Sequence, residues 1–264
     1  MFYRHSLTLA LALALSFSAF ASSSSTNIIG GTNVSDSDPD GASTVALVAT
    51  LSKGQAICTG SLLSASLIVT AAHCVTDERG GVLSPKAMTI VFGSDVRAKN
   101  RILAPVAGLK RHPGYDPEAS GKDLNDIAVV RFAGGLPPGF RPAKLLSAST
   151  AIPNGGAAVL VGYGVNTMAG GGSGAGVLRK VTAEVADGKF AKTEVLIDQR
   201  NKKGACHGDS GGPAFARKGK DLLLWGVTNR GYPDNGPDDC VHYSVYTRIT
   251  TQMAFINSAA RALR

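Results

Sequence analysis

Short β-branched runs bounded by Gly, Pro, Asn and Asp recur along this chain, and they constrain its fold more than any other feature. Val45–Thr50, Leu67–Thr70, Met88–Phe92 and Ile127–Phe132 fall in the first half. Ala157–Val161, Val177–Val185, Glu194–Ile197, Leu222–Thr228 and Tyr243–Ile249 follow in the second. Strands this short, separated by turn-forming residues, read as a sandwich or barrel. Composition agrees: 32 of 264 residues are Gly and only 17% are charged, while 44% are hydrophobic, too many for a disordered chain. The length suits one large domain or two small ones. Between the halves, residues 133–142 (AGGLPPGFRP) read as an extended connector, because Pro removes donors and resists both helix and central strand. Gly170–Gly176 reads as a mobile surface loop. At the end, Ile249, Met253, Ile256, Ala260 and Leu263 recur every three or four residues, which predicts a C-terminal helix docked on the body.

The N-terminus has the three-part layout of a secretory signal peptide. Arg4 and His5 precede an apolar run from Leu7 to Phe20, and Ala19-Phe20-Ala21 supplies a small-x-small cleavage site. The run is shorter than the ~20 residues of a membrane span. Residues 1–21 are therefore expected to be removed, and the protein to be secreted to the extracellular space, or to the periplasm in a bacterium. The net charge of +8 falls to +7 without residues 1–27, which hold Arg4 and no acid. In an oxidising compartment the four cysteines form two disulfides, with three possible pairings. Sequence proximity favours Cys58–Cys74 and Cys206–Cys240, each worth roughly 3 kcal/mol by chain entropy. His73 and His207 adjoin cysteines, but adjacent residues rarely point at one ion and no C-x-x-C spacing occurs, so no metal is expected.

Chemistry concentrates in three segments. Gly208-Asp209-Ser210-Gly211-Gly212-Pro213 surrounds a serine with glycines that permit tight turns and close approach of backbone N–H groups. Serine needs a base to take its proton and donors to stabilise the oxyanion that follows. Thr70-Ala71-Ala72-His73-Cys74 places a histidine at the end of an apolar strand. Asp123-Leu124-Asn125-Asp126-Ile127-Ala128 leads an aspartate into another. Each is weak alone; together they offer nucleophile, base and orienting carboxylate in the order His, Asp, Ser.

In these segments the chain resembles the trypsin/chymotrypsin-type serine proteases, from Ile28 to the C-terminal helix. Ile28-Ile29-Gly30-Gly31, Cys58-Thr59-Gly60-Ser61-Leu62, Val161-Gly162-Tyr163-Gly164 and Tyr246-Thr247-Arg248 stand in the expected order. The resemblance implies an all-β fold of two six-stranded antiparallel β-barrels with a C-terminal α-helix. One barrel would span about 28–135, the connector about 133–148, and the second barrel with the helix about 149–264. It implies Ser210 as nucleophile, His73 as general base and Asp126 as its orienting partner, with Asp123 the competing carboxylate. Backbone N–H groups of Gly208 and Ser210 would form the oxyanion hole. Residues 22–27 would be a propeptide; cleavage after Asn27 would free the Ile28 amine to pair with Asp209. Asn27 stands where Arg or Lys is usual, so the activating protease differs from trypsin.

The specificity pocket departs from the family pattern. Gly204, followed by Ala205, occupies the position where trypsin-like relatives carry an Asp that binds Lys or Arg. Asn229-Arg230-Gly231 replaces the usual Ser-Trp-Gly, and Ser244 stands where Gly is common. With Gly204, Ala205, Gly231 and Ser244 as walls, the pocket is expected to take apolar or small uncharged side chains. The expected partners are polypeptide substrates and the activating protease. The chain is expected to be a monomer needing no cofactor, with no stable membrane association. Basic clusters at Lys110-Arg111, Arg200–Lys203 and Arg217–Lys220 lack aromatic interleaving, so nucleic acid is not expected. Three rival readings remain: a catalytically inactive protease-like binding protein, an α/β-hydrolase esterase, and a polyanion binder using those basic clusters. The second follows from Gly208-x-Ser210-x-Gly212, with Asp221 and His242 nominally completing its triad.

Overall fold

A computed structural model describes residues 28–167, 172–233 and 240–264. The expected signal peptide and propeptide lie outside the described residues. After β1 (Thr32–Asn33), strands β2 (Thr44–Leu51), β3 (Gly54–Leu62), β4 (Leu67–Thr70), β5 (Met88–Phe92), β6 (Ile102–Arg111) and β7 (Ala128–Phe132) follow. β2 to β7 close a barrel in the order β2-β3-β4-β7-β6-β5. A short β8 (Lys144–Leu145) in the connector leads to β9 (Ala157–Gly162), β10 (Arg179–Asp187), β11 (Glu194–Asp198), β12 (Pro213–Lys218), β13 (Asp221–Tyr232) and β14 (Tyr243–Arg248). These close a second barrel in the order β9-β10-β11-β14-β13-β12 and back to β9, all antiparallel. The expected pair of six-stranded barrels is thus present.

Many strands read as unbroken apolar runs because both their faces are buried. Successive side chains point to opposite faces of a strand. In β7, Ala128, Val130 and Phe132 fill the first barrel, while Val129, with Ile127 before it, faces a core shared between the barrels. In β9, Ala158 and Leu160 fill the second barrel, and Val159 and Val161 face the same shared core. Fully burying each Val, Leu, Ile or Phe among them contributes about 1.5–3 kcal/mol, and each Ala less. The shared core fixes one barrel against the other.

Three of the barrel strands escape the hydrophobic pattern. β6 carries Pro105 and Gly108, and its register with β7 shifts between Val106 and Gly108. β12 starts at Pro213 immediately after two glycines, and β3 opens on exposed polar residues. Residues 28–33, counted with the first half from sequence, attach instead to the second barrel. Ile28 is buried in its core, and β1 pairs with β10. The helix α1 (Met253–Ala262) follows a 3-10 turn at Ile249–Gln252 and buries Ile256 and Ala259. Arg131 Nη1 donates to the Leu263 and Arg264 carbonyls, each at 2.9 Å, satisfying acceptors left open at the helix end. Gly170 and Gly171 lie outside the described residues. The adjoining Gly172–Gly176 stretch is anchored, since Gly176 N–H donates to Tyr163 O at 2.7 Å and Gly174 O accepts from Arg179.

Candidate active site

β4 delivers the chain to His73 through buried Ala71 and Ala72, and a 3-10 turn at His73–Val75 presents the imidazole at the barrel rim. Asp126 immediately precedes Ile127 and β7, the strand paired with β4. Its carboxylate meets His73 twice: Oδ1 accepts the His73 backbone N–H at 2.9 Å, and Oδ2 lies 2.7 Å from Nδ1. Asp126 is 2% exposed and the His73 side chain 34%. A carboxylate on Nδ1 keeps the proton there, so Nε2 of the neutral ring is the free base. Burial lowers the His73 pKa, but the charge and hydrogen bond of Asp126 outweigh it, leaving the pKa above the ordinary value. Asp123, the competing carboxylate, is engaged elsewhere: its Oδ1 accepts from the Thr193 N–H and hydroxyl, both at 2.6 Å. Asp123 and Asn125 adopt φ of 59° and 53°, a conformation Asp and Asn tolerate better than most side chains.

Ser210 sits in a turn clamped to the first barrel by one residue, Thr59. The Thr59 N–H donates to Ser210 O at 2.8 Å, and its hydroxyl donates to Gly208 O at 2.8 Å. The same hydroxyl accepts from the Tyr163 N–H at 3.1 Å. Gly208 has φ of 97°, and a Cβ there would lie 2.9 Å from Gly164 Cα, so the position requires glycine. Among the described residues, the N–H groups of Gly208 and Ser210 donate to no protein acceptor. The disulfides flank this centre as expected: Cys58–Cys74 joins the neighbours of Thr59 and His73, and Cys206–Cys240 joins the Ser210 turn to the segment before β14. All four sulfurs beside His73 and His207 are therefore bonded in pairs and are not free thiolates. His73 and Ser210 line one cavity; Ser210 also lines a second with Ala205, Gly231 and Ser244.

Asp209 is buried behind the turn, where Oδ1 accepts from Gly164 N–H and Oδ2 from Cys206 N–H, both at 2.8 Å. Burial nevertheless pushes its pKa up to about 7, against the pull of those donors and of buried Arg179. Ile28 inserts its side chain into the second barrel, and Ile29 pairs with Gly204. In the second cavity Arg230 contributes to the lining, yet its guanidinium turns away to Glu194, at 3.0 Å from Nη1 to Oε1. Glu194 is fully buried and also accepts from Leu124 N–H and the Asn229 amide, each at 3.3 Å. Gly204 does not line the cavity; it lies buried behind Ala205, against the Gln199 carboxamide.

The family profile described as Trypsin matches residues 28–256. This chain belongs to the trypsin family. It is 31% identical over 222 residues to Trypsin alpha-4 of Lucilia cuprina, covering 80% of each chain. It is 30% identical over 218 residues to Trypsin alpha of Drosophila melanogaster, covering 78% of this chain and 77% of the relative. A solved structure titled HL collagenase superposes with a TM-score of 0.70 at 21% identity, covering 88% of this chain and 97% of that one, a likeness of fold. The chain is accordingly a serine endopeptidase of the trypsin family, acting on polypeptide substrates. The esterase reading fails, because residues 199–212 before and around Ser210 contain no strand to form a nucleophile elbow.

Three residues of the site were invisible to motif reading. Thr59 lies inside Cys58-Thr59-Gly60, but nothing in that string says that it grips the Ser210 turn. Glu194 opens the run Glu194–Ile197, which marks it only as a strand residue, and it becomes the partner of Arg230 through β-sheet register rather than sequence proximity. Gln199, just past β11, reads as a loop residue and is 1% exposed.

Proposed function

We propose that this trypsin-family endopeptidase is secreted as a precursor and, once cleaved before Ile28, hydrolyses peptide bonds through a Ser210–His73–Asp126 triad. Its preference is for apolar or small uncharged residues before the scissile bond. The observation that carries the reading is the double hydrogen bond of Asp126 to His73, in a cavity that also exposes Ser210.

Ser210 Oγ attacks the scissile carbonyl carbon while His73 Nε2 takes its proton, and Asp126 stabilises the resulting imidazolium. The carbonyl oxygen becomes an oxyanion, received by the N–H groups of Gly208 and Ser210. Collapse breaks the C–N bond; His73 returns the proton to the leaving amine, and an acyl group remains on Ser210. Water, deprotonated by His73, then releases the acid and restores Ser210. In the precursor the buried Asp209 carboxylate lacks a matching cation of full strength, as its raised pKa reflects. An α-ammonium at Ile28 would supply that charge and fix the backbone on either side of Gly208. Residues 1–21 act as the signal peptide, 22–27 as the propeptide and 28–264 as the protease domain, working as a monomer.

The test combines N-terminal sequencing of active protein with fluorophosphonate labelling. Protein starting at Ile28 should be labelled on Ser210, and Ser210→Ala should fold yet take up no label and lose about 10⁶ in kcat. Full labelling of Ser210→Ala, or an active species with another N-terminus, would refute the assignment.

A further inference from the structure

Behind two of the residues that line the pocket, Ala205 and Cys240, stands a buried side chain that is not itself part of the lining. Gln199 donates its backbone N–H to His242 O at 2.9 Å and sends its carboxamide inward. There Oε1 accepts the Ala205 N–H at 2.6 Å, and Nε2 donates to Cys240 O at 3.1 Å. Ala205 and Cys240 both line the cavity, on segments that the Cys206–Cys240 disulfide also joins. One buried amide thus bridges the two sides beneath the site. It also claims the space of a neighbour: a Cβ at Gly204 would lie 2.0 Å from Gln199 Oε1 and 2.3 Å from its Cδ. Gly204 has no side chain because Gln199 stands where that side chain would go.

The chemistry follows from this occupancy. The carboxamide is neutral, and each of its polar atoms is committed to a backbone partner, so the floor offers no anion to an entering ammonium or guanidinium. Burying either cation there without a partner carries a large desolvation cost. Among the described residues, the cation lining the pocket does not help, since it is Arg230, and the Glu194 carboxylate paired with it is fully buried. We propose that Gln199 is the specificity-determining residue of this pocket, closing its floor so that uncharged side chains are accepted and Lys and Arg are rejected. This rests on the proposed role of Ser210 and sharpens it to a substrate class.

The test is a matched peptide series varying only the residue before the scissile bond, read as kcat/KM per fluorophosphonate-titrated active site. Wild-type protein should favour Leu, Met or Phe over Lys or Arg by roughly 100-fold. Gln199→Glu keeps the shape, places an anion at the floor, and should raise Lys and Arg cleavage relative to Leu by about tenfold or more. Gly204→Asp alone should gain nothing, because its side chain meets Gln199, whereas Gln199→Ala combined with Gly204→Asp should gain Lys and Arg cleavage. Gln199→Met, uncharged and of similar size, should keep the rejection of cations while raising KM more than it lowers kcat. Gln199→Glu with an unchanged profile, or Gly204→Asp alone turning over Lys and Arg peptides, would overturn the assignment. A wild-type protein that takes no label at Ser210 would sink the triad reading as well; a labelled protein with indifferent Gln199 variants sinks this inference alone.

Discussion

The two sides of the cleft are built by different rules. On the first-barrel side, His73 and Asp126 sit at the ends of paired strands, each announced by the apolar run beside it. Their contact follows as soon as β4 and β7 pair. On the second-barrel side, the character of the pocket is set by Gln199 and Glu194, which stand 11 and 16 residues before Ser210 and act on Ala205, Cys240 and Arg230 across the sheet. In the proposed mechanism, reaction chemistry is carried by short sequence-local elements, while selectivity is a tertiary property. Exchanging His73 or Asp126 should therefore change rate with little effect on substrate choice, and exchanging Gln199 or Glu194 should do the reverse.

The largest expected effect on the first side is that of Asp126→Asn. An amide offered to Nδ1 favours the wrong tautomer, and kcat should fall about 10⁴-fold with the substrate profile retained. The pH dependence has a defined sign. His73 acts as a base only when neutral, so activity rises with pH through its pKa, which Asp126 holds above the ordinary imidazole value. Removing that charge should move the acid limb of kcat/KM to lower pH in the residual activity. An unmoved limb would mean that another group sets it.

Asp209 links the two sides and should come next in size. With its pKa near 7 in the folded precursor and near 4 unfolded, it binds a proton on folding across that interval. Its contribution to stability is therefore present below about pH 4 and is lost as pH rises to about 7. Cleavage before Ile28 should abolish this loss, so melting temperature against pH should diverge between precursor and cleaved Ser210→Ala protein. Equal slopes would break the proposed ion pair. Asp209→Asn should cost the cleaved enzyme about 10²–10³ in kcat, the scale of a mis-set oxyanion donor.

The same division explains what the amino-acid order disclosed. Runs such as Met88–Phe92 and Ala157–Val161 are legible as strands because both their faces are buried, whereas the barrel pair is implied only by the family resemblance of other segments. β6 was not, since Pro105 and Gly108 break the alternation where the barrel bends. The counting of residues 28–33 with the first barrel fails because a two-residue strand, β1, crosses to β10 without any local signal. His73, Asp126 and Ser210 each have neighbours that restrict the backbone, and such restriction is written locally. Arg230 in place of Trp looked anomalous in sequence; its buried partner Glu194 supplies the reason, and only sheet register brings the two together.

Thr59 offers a finer probe of the first side, because it acts on Ser210 without touching substrate. Thr59→Val keeps the backbone bond to Ser210 O but deletes the hydroxyl shared by Gly208 O and Tyr163 N–H. Leaving a buried N–H unpaired costs about 1–3 kcal/mol of stability. We expect kcat to fall about tenfold with KM little changed, since the shift of the Gly208 backbone acts on the oxyanion rather than on the ground state. Thr59→Ser retains the hydroxyl and should recover most of both losses. A variant that loses stability while keeping full kcat would reduce Thr59 to a packing role.

The smallest effect should come from Asp123, and it is the sharpest control on Asp126. Burial alone would raise its carboxyl pKa, but the hydrogen bonds from Thr193 hold it below the ordinary range. A depressed carboxylate stabilises the fold above its unfolded pKa and loses that contribution as pH falls through the folded value. Asp123→Asn retains an oxygen for the Thr193 donors and gives up only the charge, so the penalty at neutral pH should stay under about 1 kcal/mol. Turnover should remain within about threefold of wild type, with the acid limb unmoved, since Asp123 makes no contact with His73. If Asp123→Asn instead reproduced the collapse expected of Asp126→Asn, the orienting carboxylate would be misassigned, and the first side of the cleft would prove as dependent on distant contacts as the second.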